Sequence, residues 1–206
     1  MTMRSEGKGR IFELVAGHPA LDLVNTLDWR FRAAGPEELL VDYRSLLRFA
    51  RQSNLLDAKQ AKRLLRDAGD GDALRTLAAC RELREAAAEV FYAAIDERTP
   101  STASLKTLDG LFKSASARQK LRWKEGRLQW RLSEKELDPE MPLWMLALSA
   151  AGLMTSPEMA RVRACGSSDC RWLFLDTSKN HTRRWCDMKI CGNRMKARRF
   201  KALHAA

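Results

Sequence analysis

The 206-residue sequence contains no apolar run long enough to span a bilayer. Its longest, "LWMLALSAAGLM" from Leu143 to Met154, falls short of the roughly 20 residues a membrane helix needs and reads as a buried core helix. The opening "MTMRSEGKGR" lacks the apolar stretch and small-residue cleavage site of a secretory signal. A cytoplasmic protein with no membrane partner is therefore expected. No G-x-S-x-G, P-loop, dinucleotide-type glycine pattern or H-E-x-x-H occurs. His18, Asp22 and Asn25 in "GHPALDLVNT" could furnish acid–base chemistry, but such a cluster is more often a capped helix start. The chain is not expected to be an enzyme. Apolar residues are not scarce: at 45% they suit a folded domain and exclude wholesale disorder.

Acidic residues are sparse in one place only. Residues 161–206 hold 12 Lys/Arg against 3 Asp/Glu, a net of +9 out of the chain's +11, which leaves +2 for the first 160 residues. A nearly neutral body thus carries a strongly basic tail. That asymmetry suggests a polyanionic partner, nucleic acid or an anionic surface, with a merely solvated tail as the plain alternative.

Cysteine is also infrequent, at five residues, and four of them fall in this tail. Cys80 stands alone in a helical pattern as a small hydrophobe. Cys165, Cys170, Cys186 and Cys191 are spaced C-x4-C-x15-C-x4-C. Cytoplasmic chains rarely keep disulfides, so such pairs point to metal or redox chemistry. Four thiolates make a closed tetrahedral site, and one structural zinc ion is the expected cofactor. A redox pair would call for C-x-x-C, which is absent here. His181, between the pairs, is read as a loop or phosphate-contacting residue rather than a ligand. "RVRACGSSDCRWLFLD" alternates about a Gly-Ser-Ser-Asp turn and predicts a knuckle on a β-hairpin; Cys191 falls near the start of a helix. Two ligands from a knuckle and two from a helix start make a treble-clef-like finger. A module this small cannot bury enough apolar area to fold alone, and structural zinc supplies about 10–16 kcal/mol of apparent binding energy toward folding.

The zinc–thiolate group would carry a charge of −2 and welcome one or two cations, but not twelve. Along the terminal helix Ala197, Phe200 and Leu203 form an apolar stripe, while Arg194, Lys196, Arg198, Arg199 and Lys201 occupy the remaining faces. A helix with one packed face and a broad cationic face suits a DNA groove. The alternative is a solvated helix docked on acidic surface of the same chain. The candidate nucleic-acid contacts are Arg183, Arg184, Asn193, Arg194, Lys196, Arg198, Arg199 and Lys201. Arg194 could equally point inward, to the knuckle carbonyls.

Cys191-Gly192-Asn193-Arg194, in the frame "RWCDMKICGNRMKARR", closely resembles the CGNR zinc-finger family over residues 162–200. "GHPALDLVNTLDWR" resembles the opening of the ABATE domain that accompanies this finger, a family described as stress-induced transcription regulators. The resemblance implies a bacterial, zinc-dependent, DNA-binding regulator with the four cysteines as ligands.

The rest of the chain predicts a mainly α fold with a small β-hairpin: a helical regulatory domain over residues 1–158, then the finger over 159–206. Helices are expected through "ALDLVNTLDWRFR", from Pro36 through "PEELLVDYRSLLRFARQSNLL", after Asp57 as N-cap, across residues 70–97, and across 101–118. "KLRWKEGRLQWRLS" alternates Leu121, Trp123, Leu128, Trp130 and Leu132 about Glu125-Gly126, which predicts a hairpin with one apolar face and a cationic outer face. "RIFELVAG" could pair with it. Asn25 and Trp29 are candidates to line a sensory pocket. One DNA-binding helix per chain favours a homodimer on two half-sites. RNA is the alternative partner, with Trp172, Phe174 and Trp185 stacking on bases, and a protein-interaction adaptor is a third reading.

Overall fold

A computed structural model describes residues 12–133 and 137–204. The first helix, α1 (Pro19–Asn25), is short because it is central. Residues 20–25 are all buried, and the His18 imidazole caps the helix by accepting from Ala20 N. Proline in the first turn costs nothing there, since that N–H has no helical partner. The helix does not continue through Trp29 and Arg30 as the periodicity predicts. Thr26 bonds back to Leu23 O at 2.6 Å, and Leu27–Asp28 (β1) instead pairs antiparallel with Glu37–Glu38 (β2). The helix expected from Pro36 likewise starts later, as α2 (Tyr43–Gln52) behind the capping box Asp42/Ser45. The extended Glu38 meets Arg84, which is 3% exposed, in two bonds of 2.7 Å. A buried guanidinium requires such a partner, and that demand outweighs local helix propensity.

Asp57 caps α3 (Ala58–Asp67) as expected, with Gln60 completing the box. The alanine-rich α4 (Asp70–Ile95) runs 26 residues, with Asp70 and Asp72 in its first turn where the helix dipole favours them. Ser101 caps α5 (Thr102–Ala117). Two strands follow, β3 (Gln119–Lys124) and β4 (Arg127–Leu132), in the predicted hairpin. Its turn residues Glu125 and Gly126 both have positive φ, 52° and 76°, the two-residue geometry that matches strand twist. The apolar α6 (Met141–Met154) lies in the core beside α1, α4 and α5. No helix among the described residues is long and apolar enough to cross a membrane.

The core collects Leu21, Leu23, Leu46, Phe49, Leu83, Phe91 and Leu146, all at 0% exposure. Each such side chain contributes about 1.5–3 kcal/mol on burial. Phe12 stacks edge-on against Phe49 at 5.3 Å. The "RIFELVAG" segment, of which Arg10 and Ile11 lie outside the described residues, forms no strand with the hairpin over its described part. It passes the other sheet instead, where Ala16 O accepts from Leu175 N at 2.7 Å.

A one-turn 3-10 helix (Pro157–Arg161) leads into β5 (Val162–Ala164), which pairs antiparallel with β6 (Leu173–Leu175). Strand alternation gives this hairpin two different faces. Val162, Leu173 and Leu175 belong to the main core, whereas Phe174 faces a second buried cluster built on the cysteines. A π-helical turn (Met188–Gly192) then opens into α7 (Asn193–Leu203). The observed fold is mainly α with small antiparallel strand pairs and a cysteine-centred C-terminal finger, as the sequence predicts.

Candidate metal centre and basic helix

Each cysteine is placed by local backbone bonding. Cys165 N donates to Trp172 O at 2.8 Å across the hairpin, and Cys170 N to Ser167 O at 3.0 Å in the knuckle turn. Gly166 N reaches Arg184 O at 2.8 Å, which draws the second half of the site against the first. Asp187 caps the π-turn by accepting from Lys189 N at 2.6 Å and Ile190 N at 3.1 Å. Cys191 N in turn donates to Asp187 O at 3.0 Å, which fixes the fourth sulfur. A Cβ at Gly192 would lie 2.6 Å from the sulfur of Met188, a flexible side chain that could swing aside, and 3.3 Å from the Trp185 ring, which would have to shift slightly.

The four sulfurs lie within 4.8 Å of one another and are buried, and the Cys170 and Cys186 sulfurs are 3.9 Å apart. A Zn–S bond of about 2.3 Å in a tetrahedron implies sulfurs about 3.8 Å apart, so the donor set fits one zinc ion. His181 takes no part; its ring bonds Asp176 O at 3.2 Å in the intervening loop. Without a cation so many sulfurs cannot all ionise together. Donating to Cys165 holds the Cys170 and Cys186 thiols far above the ordinary value, whereas Cys165, accepting from the other cysteines, is driven well below it.

Two of the arginines read as nucleic-acid contacts turn inward. Arg194 donates to Cys191 Sγ at 3.2 Å and lies over the Trp29 ring at 4.8 Å. It supplies the one cation that a thiolate cluster welcomes, and its orientation is the inward one of the two open in the sequence. Arg183 bonds the carbonyls of Trp185 at 2.9 Å, Val15 at 3.3 Å and Cys186, and packs on Phe174 at 4.4 Å. A guanidinium offers five donors in a planar fork, and here they are used to bundle backbone. Both residues are therefore part of the finger's frame.

The other candidates stay outside. Arg184, Asn193, Lys196, Arg198, Arg199 and Lys201 are exposed, with Arg198 paired to Asp169 at 2.9 Å and Arg184 set over Trp185 at 5.3 Å. The apolar stripe of α7 does not pack as expected. Ala197 is exposed and Phe200 is 62% exposed, stacked only on His204 at 4.0 Å; the Leu203 side chain lies outside the described residues. Beyond its first turn α7 projects from the finger with every described side chain at least partly in solvent.

Residues 161–204 match the CGNR zinc finger family. Residues 17–157 match the ABATE family, described as "Putative stress-induced transcription regulator". The chain belongs to the ABATE family. No curated protein matches it. The ABATE part grips the CGNR finger through residues the sequence assigns to a pocket. The Asn25 amide donates to Leu173 O and its oxygen accepts from Leu173 N, both at 2.9 Å, so that this side chain acts as a strand partner for β6. Trp29, with φ of 53°, carries the Arg194 guanidinium. The two residues do act together, but as a docking site for the finger and not as a lining. A cleft of about 290 Å³ lies elsewhere, between Phe31, Tyr92, Asp96 and Arg171. Arg171 directly follows the ligand Cys170, pairs with Asp96 at 3.0 Å, and gives its carbonyl to the Tyr92 hydroxyl at 2.9 Å. Nothing in the spacing of Tyr92 and Arg171, 79 residues apart, marks this contact.

Proposed function

We propose that this chain is a non-enzymatic transcription regulator that binds DNA through its zinc-stabilised finger. The observation that carries the reading is the exposed course of α7, with Lys196, Arg199 and Lys201 clear of any acidic partner among the described residues. An eleven-residue helix is about 16 Å long and fits a major groove about 12 Å wide. Lys196, Arg199 and Phe200, at i, i+3 and i+4, share the side turned away from Arg194 and Arg198, whose partners Cys191 and Asp169 lie in the finger. The near-neutral body adds little non-specific attraction, so the basic charge is concentrated where the helix projects. RNA fits less well. Of the three rings expected to stack on unpaired bases, Trp172 and Phe174 are 8% and 0% exposed, and Trp185 is half-buried under Arg184.

For sensing by the ABATE part, the cleft at Arg171 is the place we assign, because a ligand there touches the residue next to a zinc-binding cysteine. Selection of bound duplexes from a random pool, followed by salt titration, tests the DNA reading. The expected result is an enriched motif, with log affinity falling linearly with log salt. No retained duplex at low salt, on zinc-loaded protein, would refute it and favour an acidic protein partner.

A further inference from the structure

The β3–β4 hairpin is amphipathic, yet above Leu132 its apolar face is left exposed among the described residues. Leu121 is 47% exposed, Trp123 72%, Leu128 59% and Trp130 63%. These are all four upper members of one face, since the register sets Leu121 opposite Trp130 and Trp123 opposite Leu128. Only Leu132, at the base, packs against the core. The reverse face pairs Lys120 with Arg131 and Lys124 with Arg127, like charges directly opposed. Such pairs weaken a ribbon, and an isolated two-stranded hairpin is marginal in water. A patch of this size is comparable to the largest on a typical monomer, and such patches often serve a contact.

We infer that this face is the interface between two copies of the chain, packed hairpin on hairpin about a two-fold axis. The pattern of the four side chains favours this occupant. Reading across and then down the ribbon, the face is leucine–tryptophan, then tryptophan–leucine, a checkerboard. Rotation by 180° about an axis in the plane of contact, either along or across the strands, sets every tryptophan of one copy over a leucine of the other. Large then meets small at all four positions, which is how facing layers interdigitate. A symmetric contact uses the same patch twice, so a patch complementary to itself is what a two-fold dimer requires.

The area reaches the lower limit for a specific contact. A tryptophan buries about 200–250 Å² when wholly covered, so the two indoles hold about 300 Å² of free surface and the leucines bring the face to about 450–500 Å². Two faces together remove about 900–1,000 Å², close to the threshold of about 1,000 Å² for a specific contact. A contact at this lower end belongs with the weak, exchanging class and not with obligate dimers. The charge distribution agrees: the cationic faces point outward on both sides and do not oppose each other. A nucleic acid would want cations and rings on one surface, whereas here they lie on opposite sides of the ribbon.

Sedimentation of the full zinc-loaded chain, from about 1 to 300 µM, tests the assignment. The expected result is a mass that climbs from one copy toward two. Trp123→Ser with Trp130→Ser should keep the mass at one copy throughout, with zinc content unchanged. A charge pair guards against a hairpin that has merely misfolded. Leu121→Lys/Leu128→Lys and Trp123→Glu/Trp130→Glu should each remain single, and their equimolar mixture, in which each lysine meets a glutamate across the contact, should regain the double mass. A native chain that stays single across the range overturns the proposal. So does a tryptophan variant that still dimerises, or a mixture that fails to associate. If the native chain stays single but binds vesicles of anionic lipid through Trp123 and Trp130, the face belongs to a membrane and the dimer is refuted. None of these readouts depends on DNA binding, so the two readings fail separately.

Discussion

Replacing Asn25 with alanine separates a structural joint from a ligand-lining residue. The Asn25 side chain satisfies both backbone groups of Leu173, and that residue is fully buried in β6. Truncation leaves an N–H and a C=O without partners in a site closed to water. Each orphaned group costs about 1–3 kcal/mol, so the expected loss is about 2–6 kcal/mol. In a chain of this size each kcal/mol moves the melting midpoint by about 2–4 °C, which predicts a drop of about 10 °C by calorimetry or circular dichroism. Asn25→Asp should cost more. The carboxylate still accepts from Leu173 N–H but sets a negative oxygen against Leu173 C=O in a dry site. Zinc content should remain at one per chain in both variants, because no ligand is touched. A midpoint within about 2 °C of the native value for Asn25→Ala would show that the two bonds do not hold the finger to the body, and the docking account would fall.

Four further outcomes are expected. Chelation or Cys170→Ser should abolish the near-ultraviolet signal of the Trp172 and Trp185 environment and lower the melting midpoint of the whole chain, because Leu173 and Leu175 sit in the main core; a body that melts unchanged would contradict the shared core. Lys196→Ala with Arg199→Ala should reduce the slope of log affinity against log salt by about 1.8, at about 0.9 per phosphate contact, with zinc binding unaffected. Arg194→Gln should do the reverse, weakening zinc retention by about 10–100-fold in a chelator competition while leaving the salt slope alone. Burial pushes the Asp22 carboxyl up to about 7 from its ordinary 3.8, against bonds from Ala16 and Val15 that pull it down. A folded value above the unfolded one means that the stabilisation is full below about pH 4 and is lost as pH rises through 7, by at most about 4 kcal/mol. Urea midpoints at pH 5 and pH 8 should therefore differ in the native chain and converge in Asp22→Asn, which keeps an oxygen for Ala16 N–H; an equal drop in both would remove Asp22 as the cause.

The parts legible in the sequence were those governed by local rules. Asp57 followed by Gln60 spells a capping box, Glu125-Gly126 between alternating strands spells a hairpin turn, and four cysteines at matched spacing spell a metal site. What stayed hidden depends on partners distant in the chain. The early end of α1 reflects the demand of Arg84, 46 residues beyond Glu38, for a carboxylate on an extended segment. Asn25 looked like a pocket residue because its partner Leu173 lies 148 positions away. Arg183 looked like a phosphate contact, and Arg194 stayed open between outward and inward, because sequence reports charge but not direction; only the fold shows Arg194 turned to sulfur and Arg183 to carbonyls. The apolar stripe of α7 misled for the same reason: periodicity says that a helix has a face, not that something covers it.

The β5–β6 hairpin looks both ways, with Phe174 turned to the cysteines and Leu173 and Leu175 turned to the helices. This arrangement forbids cassette-style exchange. A finger grafted from a relative would arrive with the wrong underside, and one excised by itself would carry a greasy sole into water. A change on either side of that hairpin has to suit the layer on the other side, so the two halves cannot be altered independently.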